Sequence, residues 1–214
     1  MSSTEKQPRK RRYVERPDVR ILLLDAAEAL VQEEGYGAAT ARRIASRAGL
    51  KHQVVFYYFG TQDDLLLALF QRQSEAYREK LKAALSSEHP LSGMWAVNSD
   101  PVTTKSMLEF MALSNHNDAV RAEMARHTDA VRELEVQGIT RHLKERGIEP
   151  RLSPELVSIL CNGVARLLVQ EATLGFHRGH EEAQTLIEQS FRNFEASGQT
   201  ATAMEPIVSA MSKG

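Results

Sequence analysis

Few residues of this 214-residue chain could carry out bond-making chemistry by themselves. Residues 177–181, His-Arg-Gly-His-Glu, contain ligand types that zinc accepts, but a glycine divides them between two predicted helices and no further ligands lie nearby. The single cysteine, Cys161, lies in an apolar helical stretch, which is typical of packing. No glycine-rich phosphate loop, G-x-S-x-G elbow or H-E-x-x-H pair occurs. We therefore expect no catalytic residue, no metal site, no cofactor and no enzyme activity.

Residues 48–60, AGLKHQVVFYYFG, suggest binding chemistry instead. A Lys-His-Gln triplet supplies hydrogen-bond donors, four aromatic residues follow it, and no acidic residue occurs from Gly35 to Gln62. If this segment were a strand, with a two-residue period, both of its faces would mix polar and apolar residues. A helix is therefore the better interpretation. That helix would bury Leu50, Val55 and Phe59, with Phe56 also expected in the core. The residues expected on its outer face are Lys51, His52, Gln53, Val54 and Tyr57.

The net charge of −1 conceals an uneven distribution. Residues 1–60 carry eleven Lys and Arg against seven Asp and Glu, whereas the remainder carries sixteen against twenty-one. Such a split indicates that the N-terminal part meets a polyanion. The basic cluster Arg9–Arg12 lies in a segment that we expect to be a flexible arm, and it fits a solubilising tail as well as an arm that contacts nucleic acid.

Helical periodicity covers most of the chain, and no strand pattern is evident. Thr40 and Thr61 are predicted helix caps, and Gly35 and Gly49 are predicted helix ends. Three helices within about forty residues, the last two joined by a tight glycine turn, are typical of a helix-turn-helix. A break is expected at residues 90–101. Further helices are predicted at residues 63–86, 102–114, 118–146, 154–176 and 179–195, which gives an all-α fold of about nine helices.

Four features occur in order within residues 21–70: a helix ending in EEGY, the pattern T-x-x-x-I-A-x-x-A-G, the cluster FYYF, and a cap before DDLL. With this spacing the segment resembles the TetR family of bacterial transcriptional repressors. The resemblance implies a helix-turn-helix DNA-binding domain at 18–62 and an effector-binding and dimerisation domain at 63–197. The composition of the two ends predicts a flexible basic arm at residues 1–17 and a loosely ordered tail at 198–214.

In that family the third helix enters the major groove, so the resemblance implies DNA-contacting residues position by position. His52 and Gln53 would face base edges, and Val54 would touch a thymine methyl group. The other implied contacts, to phosphates or bases, are Thr40, Arg42, Lys51, Tyr57, Tyr58 and Gln62. Lys51, Val54 and Gln62 depart from the family pattern, since Gln62 stands where a lysine is usual. The implied partner is a palindromic double-stranded operator bound by a homodimer.

For the C-terminal part the resemblance implies a dimer interface and a pocket for a small effector. The expected dimer residues are Val164, Leu167, Leu168, Leu186, Ile187, Phe191 and Phe194. The expected ligand-binding residues are Trp95, Met107, Phe110, Met111, Asn115, His127, Asn162 and Arg166. A few polar groups among apolar ones favour an apolar or amphipathic organic effector, whose binding would release a repressor from its operator.

Two other classes of protein remain open at this point. One is a helical protein-interaction module with a vestigial helix-turn-helix, and the other is an all-α enzyme that uses the C-terminal cavity. A membrane span and a signal peptide are not expected, because no sufficiently long apolar run occurs and none follows the basic N-terminal residues. One cysteine fits a reducing compartment, so we expect a cytoplasmic protein.

Overall fold

The computed structural model describes residues 17–149 and 152–197, and within these ranges the regular structure is helical throughout. The all-α fold class is therefore confirmed. The basic cluster Arg9–Arg12 and the predicted tail at 198–214 lie outside the described residues. The helices are α1 (Pro17–Glu34), α2 (Ala41–Arg47), α3 (Gln53–Phe59), α4 (Gln62–Leu85), α5 (Pro90–Asn98), α6 (Pro101–Ser114), α7 (Asp118–Glu145), α8 (Pro154–Thr173) and α9 (His180–Ser197), with a short 3₁₀ helix at Tyr36–Ala38.

Local signals define the ends of the first helices. The Thr40 hydroxyl accepts a hydrogen bond from the Arg43 N–H at the start of α2. Thr61 and Asp64 form a reciprocal capping box at the start of α4, with N···O distances of 3.1 and 3.0 Å. Gly49, at φ 68°, makes the turn between α2 and α3 in a conformation that other residues rarely adopt. The predicted caps and this turn are confirmed.

The break expected at residues 90–101 is wrong, because Pro90–Asn98 forms α5. Proline is tolerated at the first turn of a helix, where its missing N–H would have no partner in any case. Pro90 and Pro101 therefore begin α5 and α6 rather than interrupting a helix. The buried face of α5 includes Leu91, Met94 and Trp95. Burial of these large side chains is the tertiary contribution that favours a helix here.

Two clusters of buried apolar side chains hold the helices together. The N-terminal core contains residues of α1 to α4, and it also includes Phe110 and Leu113 of α6 and Val120 and Met124 of α7. The C-terminal core joins the second half of α4 to α5, α7, α8 and α9. Helix α4 contributes to both cores and thus connects them. Helix α7 also contributes to both cores, whereas α6 contributes to the N-terminal core alone.

The last two helices differ from their expected bounds at the connection between them. Helix α8 ends at Thr173, three residues before the expected end, and α9 begins at His180. Gly175 and Gly179 have φ values of 77° and 82°, so the glycines reverse the chain here. In the described part of the chain, none of the helices has the length and apolarity needed to cross a bilayer.

Candidate functional site

Helix α3 is fixed by contacts on its inner face. Val55 and Phe59 are buried in the N-terminal core, where Ile44 of α2 is also fully buried. The Arg20 guanidinium of α1 lies over the Phe59 ring, 4.9 Å from its centroid, which favours the pair by a cation–π interaction. The Leu50 N–H donates to the Ala45 carbonyl at 2.8 Å and closes the turn from α2. These contacts set the rotation of α3 about its axis.

The outer face of α3 differs from the expected one at two positions. Val54, expected outward, is only 4% exposed, and Phe56, expected in the core, is 46% exposed. Both expectations were wrong. His52, Gln53 and Tyr57 are exposed as expected, with Tyr57 at 51%. Over residues 51–57 the exposed side chains are therefore those of Lys51, His52, Gln53, Phe56 and Tyr57.

The burial of Val54 and the exposure of Phe56 both follow from the rotation of α3 about its own axis. Successive residues are about 100° apart, so Val54 and Phe56 lie on opposite sides of Val55 and only one can join the core. Tyr58 is half-buried against the N-terminal core, and it lies on the Val54 side of the helix. The inner face is therefore 54, 55, 58 and 59, an i, i+1, i+4, i+5 pattern. Phe56 is turned outward together with His52, one turn earlier.

The basic residues near α3 fall into two groups. Arg43 forms a two-pronged ion pair with Glu34, and Arg47 forms another with Glu33. Hydrogen bonds from these guanidinium groups hold the pKa values of Glu34 and Glu33 below their usual range. Both arginines thus bind α2 to α1.

Arg42 and Lys51 form the second group of basic residues near α3. Both side chains are exposed, and no ion pair involves either of them within residues 17–149 and 152–197. Of the cations in the acid-free segment, these two are the ones whose charge is available to an incoming polyanion. The sequence alone did not distinguish Arg42 from Arg43 and Arg47, because the distinction depends on where the carboxylates of α1 lie.

Gln62 has a role in the fold that the sequence did not suggest. Its side-chain oxygen accepts a hydrogen bond from the Ala41 N–H at 2.9 Å, so it caps the start of α2 from the start of α4. The Gln62 side chain is half-buried. The amide oxygen is thus committed to holding α2 and α4 together across α3. A lysine at this position would have no acceptor for that N–H.

The two tyrosines lie beside each other at the end of α3. The Tyr57 and Tyr58 ring centroids are 5.2 Å apart, with an interplanar angle of 79°. Tyr57 is exposed, whereas Tyr58 packs partly against the N-terminal core. The edge-to-face contact restricts the orientation of the exposed ring.

The expected ligand-binding residues do not form one cluster. Trp95 is part of the C-terminal core, whereas Phe110 belongs to the N-terminal core and Met107 packs against it. His127 is buried, Asn162 is half-buried, and Met111, Asn115 and Arg166 are exposed. The ligand-binding role of these residues stays a prediction, and the structure divides them between two cores and the surface. Helical period alone cannot tell on which core a residue of α6 packs.

A buried polar network lies near Trp95, His127 and Asn162, and the sequence did not reveal it. The Glu135 side chain of α7 is fully buried. Its carboxylate accepts hydrogen bonds from Asn98 Nδ2 at 2.9 Å, from Asn162 Nδ2 at 2.8 Å and from the Ser158 hydroxyl. Asn98 in turn accepts from the Tyr77 hydroxyl. The network joins α4, α5, α7 and α8, and the Arg132 guanidinium of α7 donates a further hydrogen bond to the Ser158 hydroxyl at 2.6 Å.

A signal for Glu135 was present in the sequence. Val131, Glu135 and Ile139 follow one another at four-residue spacing along α7, and all three are buried. A charged residue at a position where the period demands an apolar one indicates a polar partner in the core. Its partners, however, are 23 to 37 residues away along the chain, and no local pattern identifies them.

His127 connects this region to the N-terminal core. Its ring lies 5.5 Å from the Tyr77 ring and 5.7 Å from the Phe70 ring, and Phe70 lies 4.9 Å from Phe110. Burial lowers the pKa of His127 to about 4, so the imidazole is neutral near pH 7. Its Nδ1 atom is buried and has no hydrogen-bond partner within the described ranges. Burial and the Glu135 charge together raise the pKa of Cys161 to about 12, which makes a thiolate nucleophile unfavourable.

The expected dimer residues are divided between the surface and the interior of the chain. Leu167 is 51% exposed, and Val164, Leu168 and Ile187 are half-buried against the C-terminal core. Phe191 is buried within the chain, so the expectation that it is exposed at an interface is wrong. Leu186 is half-buried, and the Phe194 side chain lies outside the described part. Leu156, Ile159 and Leu174 of the α8 region are exposed and were not among the expected residues.

The histidines of residues 177–181 lie at the connection of α8 and α9. His180 Nε2 lies 2.8 Å from a Glu171 carboxylate oxygen, and the His177 and His180 rings are 5.6 Å apart. No group of three or more His, Cys, Asp or Glu side chains suited to a metal ion occurs in the two described ranges.

The family profile described as "Bacterial regulatory proteins, tetR family" matches residues 23–69, the segment that contains α2, α3 and their supports. Among curated proteins, the chain is 37% identical over 75 residues to an HTH-type transcriptional repressor of Mycobacterium tuberculosis; this match covers 35% of the chain and 38% of that protein. The chain spans about a third of the length of the curated relatives it matches.

Solved structures resemble the chain over most of its length. A TetR-family transcriptional regulator from a Rhodococcus species has a TM-score of 0.68 at 16% identity and covers 84% of this chain and 100% of its own. A transcriptional regulator from Saccharomonospora viridis, solved in complex with choline, has a TM-score of 0.67 at 19% identity and covers 84% and 96%. At such identities the likeness establishes the fold. The N-terminal segment therefore matches the tetR family profile, and the fold of the chain is the one found in TetR-family structures.

Proposed function

We propose that this chain is a sequence-specific DNA-binding transcriptional regulator, acting as a homodimer on a palindromic operator. The observation that carries the proposal is the outer face of α3. It presents His52, Gln53 and Tyr57 from a segment without acidic residues, in which Arg42 and Lys51 are also exposed. A short helix held by its other face, with hydrogen-bonding side chains outward, suits the major groove.

The side-chain types indicate which residues of this surface would contact bases and which would contact phosphates. His52 and Gln53 present ring nitrogens and an amide to base edges. Arg42, Lys51 and the tyrosine hydroxyls suit phosphate contacts, which fix the register of the helix on the duplex. Thr40 and Gln62 act mainly on the fold, because their oxygens accept backbone N–H groups of α2.

The proposed dimer uses the outer face of α8. Leu156, Ile159 and Leu167 are exposed on it at three- to eight-residue spacing, and exposed Gly163 adds no side chain between them. Large exposed apolar side chains on one helix face are typical of a protein interface. Two α8 helices, with parts of α9, would form a four-helix contact between subunits. One recognition helix reads few base pairs, so DNA recognition also favours two subunits.

The proposed effector site lies around the buried network of Tyr77, Asn98, Glu135 and Asn162. Trp95 and His127 line the same region with buried polar atoms that lack partners within the described residues. An amphipathic molecule could use such groups while its apolar part replaces core contacts. Effector binding would shift the chain away from its DNA-binding conformation and release a repressor. The choline-bound regulator of the same fold supports a small-molecule site in this fold, and the proteins compared above are named as regulators rather than enzymes.

The experiment that tests the function is selection of bound fragments from a genomic library, followed by titration of the recovered site. Selective binding of a palindrome by two subunits is the expected result. Gln53→Ala should weaken binding to that site while leaving binding to random DNA largely unchanged, because base contacts specify and phosphate contacts do not. A protein that recovers no common sequence at low salt would contradict the proposal.

A further inference from the structure

The side chain on α3 whose orientation differs most from the expected one is Phe56. It is 46% exposed, and it is not among the residues that pack against the N-terminal core. Val54, the residue expected to make an apolar contact outside the chain, is buried instead. The outer face of α3 thus has an apolar side chain after all, but at a different position and with a larger surface.

The Phe56 ring is held by its neighbour on the same face. His52 lies one turn earlier, and the two ring centroids are 6.4 Å apart with an interplanar angle of 87°. An edge-to-face contact of this kind restricts both rings. His52 and Phe56 therefore form a pair that projects from α3 beside Gln53 and Tyr57, the other two exposed side chains of the helix.

The chemistry of a phenyl ring limits what it can contact in a major groove. It has no hydroxyl or amide, so it cannot donate a hydrogen bond to a phosphate or to a base edge. The apolar group that a base pair presents in the major groove is the C5 methyl group of thymine. Contact with that methyl group removes apolar surface of both partners from water.

We propose that Phe56 is a specificity-determining residue that recognises a thymine methyl group in each half of the operator. The inference rests on the proposed function, since it requires α3 to enter the major groove. It assigns to Phe56 the role that the sequence suggested for Val54. His52 holds the ring in place, and both His52 and Gln53 remain able to hydrogen-bond to neighbouring base edges.

The test removes the methyl group alone. Each thymine of the recovered operator is replaced in turn by deoxyuridine in one half-site, and the Kd is measured for the wild-type protein and for Phe56→Ala. For the wild type we expect a loss of about fourfold at one thymine position, from ~0.8 kcal/mol per buried methyl-sized group at 1.4 kcal/mol per factor of ten. Phe56→Ala should bind the unmodified operator more weakly and should be insensitive to the substitution at that same position.

Two further variants make the result specific. Phe56→Leu retains an apolar side chain and should retain part of the methyl dependence. Gln53→Ala is the matched control: it alters an exposed neighbour on the same helix and should keep the full methyl dependence while losing affinity. Because Phe56 is exposed, all these proteins should melt at temperatures close to that of the wild type, which circular dichroism verifies.

The outcomes separate this inference from the function on which it rests. If the wild type binds its operator selectively but no thymine shows a methyl dependence that disappears in Phe56→Ala, the role assigned to Phe56 is overturned and the function stands. If the wild type binds no sequence selectively, the proposed function fails before any variant is measured. Equal methyl dependence in Phe56→Ala and Gln53→Ala would also overturn the assignment.

Discussion

The Glu109 carboxylate of α6 accepts a hydrogen bond from the Tyr36 N–H at 2.9 Å, across 73 residues of sequence. Tyr36 begins the 3₁₀ turn that leads into α2, so a residue of α6 holds the segment that positions the recognition helix. The same carboxylate lies close to Gly35: a Cβ atom there would be 3.0 Å from Glu109 Oε2. Helix α6 therefore contacts the N-terminal segment directly, in addition to the connection through α4.

This contact predicts that Glu109→Ala weakens communication between the effector site and DNA. The substitution leaves the Tyr36 N–H without its acceptor and should lower the free energy of unfolding by about 1 kcal/mol. The ratio of operator Kd values with and without effector should fall, since the direct contact between α6 and the segment before α2 is removed. Glu109→Gln keeps an acceptor oxygen and is the control. An unchanged ratio in Glu109→Ala would assign the coupling to α4 and α7, the helices that contribute to both cores.

Neighbouring arginines of α2 should differ in their effect on DNA binding. Arg42 is exposed without an ion pair among the described residues, whereas Arg43 is bound to Glu34. Arg42→Gln should reduce the slope of log K against log[salt] by about 0.9, the value for one lost phosphate contact. Arg43→Gln removes the same charge but should leave the slope nearly unchanged. Titrations at several salt concentrations measure both, and equal slopes in the two variants would refute the assignment.

Gln62→Lys should lower the stability of the fold and raise the affinity for DNA at low salt. The lysine cannot accept the Ala41 N–H, so the loss of this helix cap should lower the free energy of unfolding by about 1 kcal/mol. A lysine at the start of α4 adds a charge near the backbone of bound DNA, so affinity should rise at low salt and the salt slope should steepen by about 0.9. Urea denaturation and DNA titration of the same preparation test both parts. Gln62→Ala, which loses the cap without adding charge, is the control.

The buried His127 predicts a dependence of stability on pH. Its folded-state pKa of about 4 lies below the unfolded value of about 6.5, so the unfolded chain binds a proton first as pH falls. Its share of the stability is intact above pH 6.5 and is lost progressively towards pH 4. Between pH 7 and 5.5 the loss should be about 1 kcal/mol in urea denaturation.

The control for this effect is His127→Phe, which fits between the rings of Phe70 and Tyr77 and cannot titrate. Every other histidine is present in both proteins, so the difference between their pH profiles belongs to His127. Because the His127 Nδ1 atom has no partner among the described residues, the substitution itself should cost little at pH 7. Parallel profiles would show that His127 does not contribute.

Leu167→Glu should separate the subunits. The side chain is 51% exposed on the outer face of α8, so a charge there is tolerated in the monomer but would be buried against its partner. Sedimentation equilibrium should show monomers, and affinity for a palindromic operator should fall steeply. Val102→Glu, at an exposed valine of α6, is the matched control and should remain dimeric. Dimers of unchanged stability in Leu167→Glu would place the interface elsewhere.

Local patterns in the sequence were enough to predict the all-α fold class, the first helix caps and the resemblance of the N-terminal segment to the TetR family. These features depend on local chemistry: Thr40 and Thr61 accept nearby N–H groups, and Gly49 adopts a positive φ that its neighbours cannot. The helical period of most elements is likewise a property of residues within a few turns. The α5 helix was missed because Pro90 reads as a breaker, although it is compatible with a helix start.

Which side chains of the site are exposed depends on how the helices pack against one another. In the run from Val54 to Phe59 every residue is apolar or aromatic, so the pattern has no polar face to set the phase of the helix. The packing of α3 against α1, α2 and α4 set it, burying Val54 and exposing Phe56. Partners that are distant in sequence also determine which polar groups are already occupied. Glu34 forms an ion pair with Arg43, and Gln62 caps α2. Asn98 and Asn162 donate hydrogen bonds to the Glu135 carboxylate. Such contacts depend on how distant helices pack, which no local pattern of residues encodes.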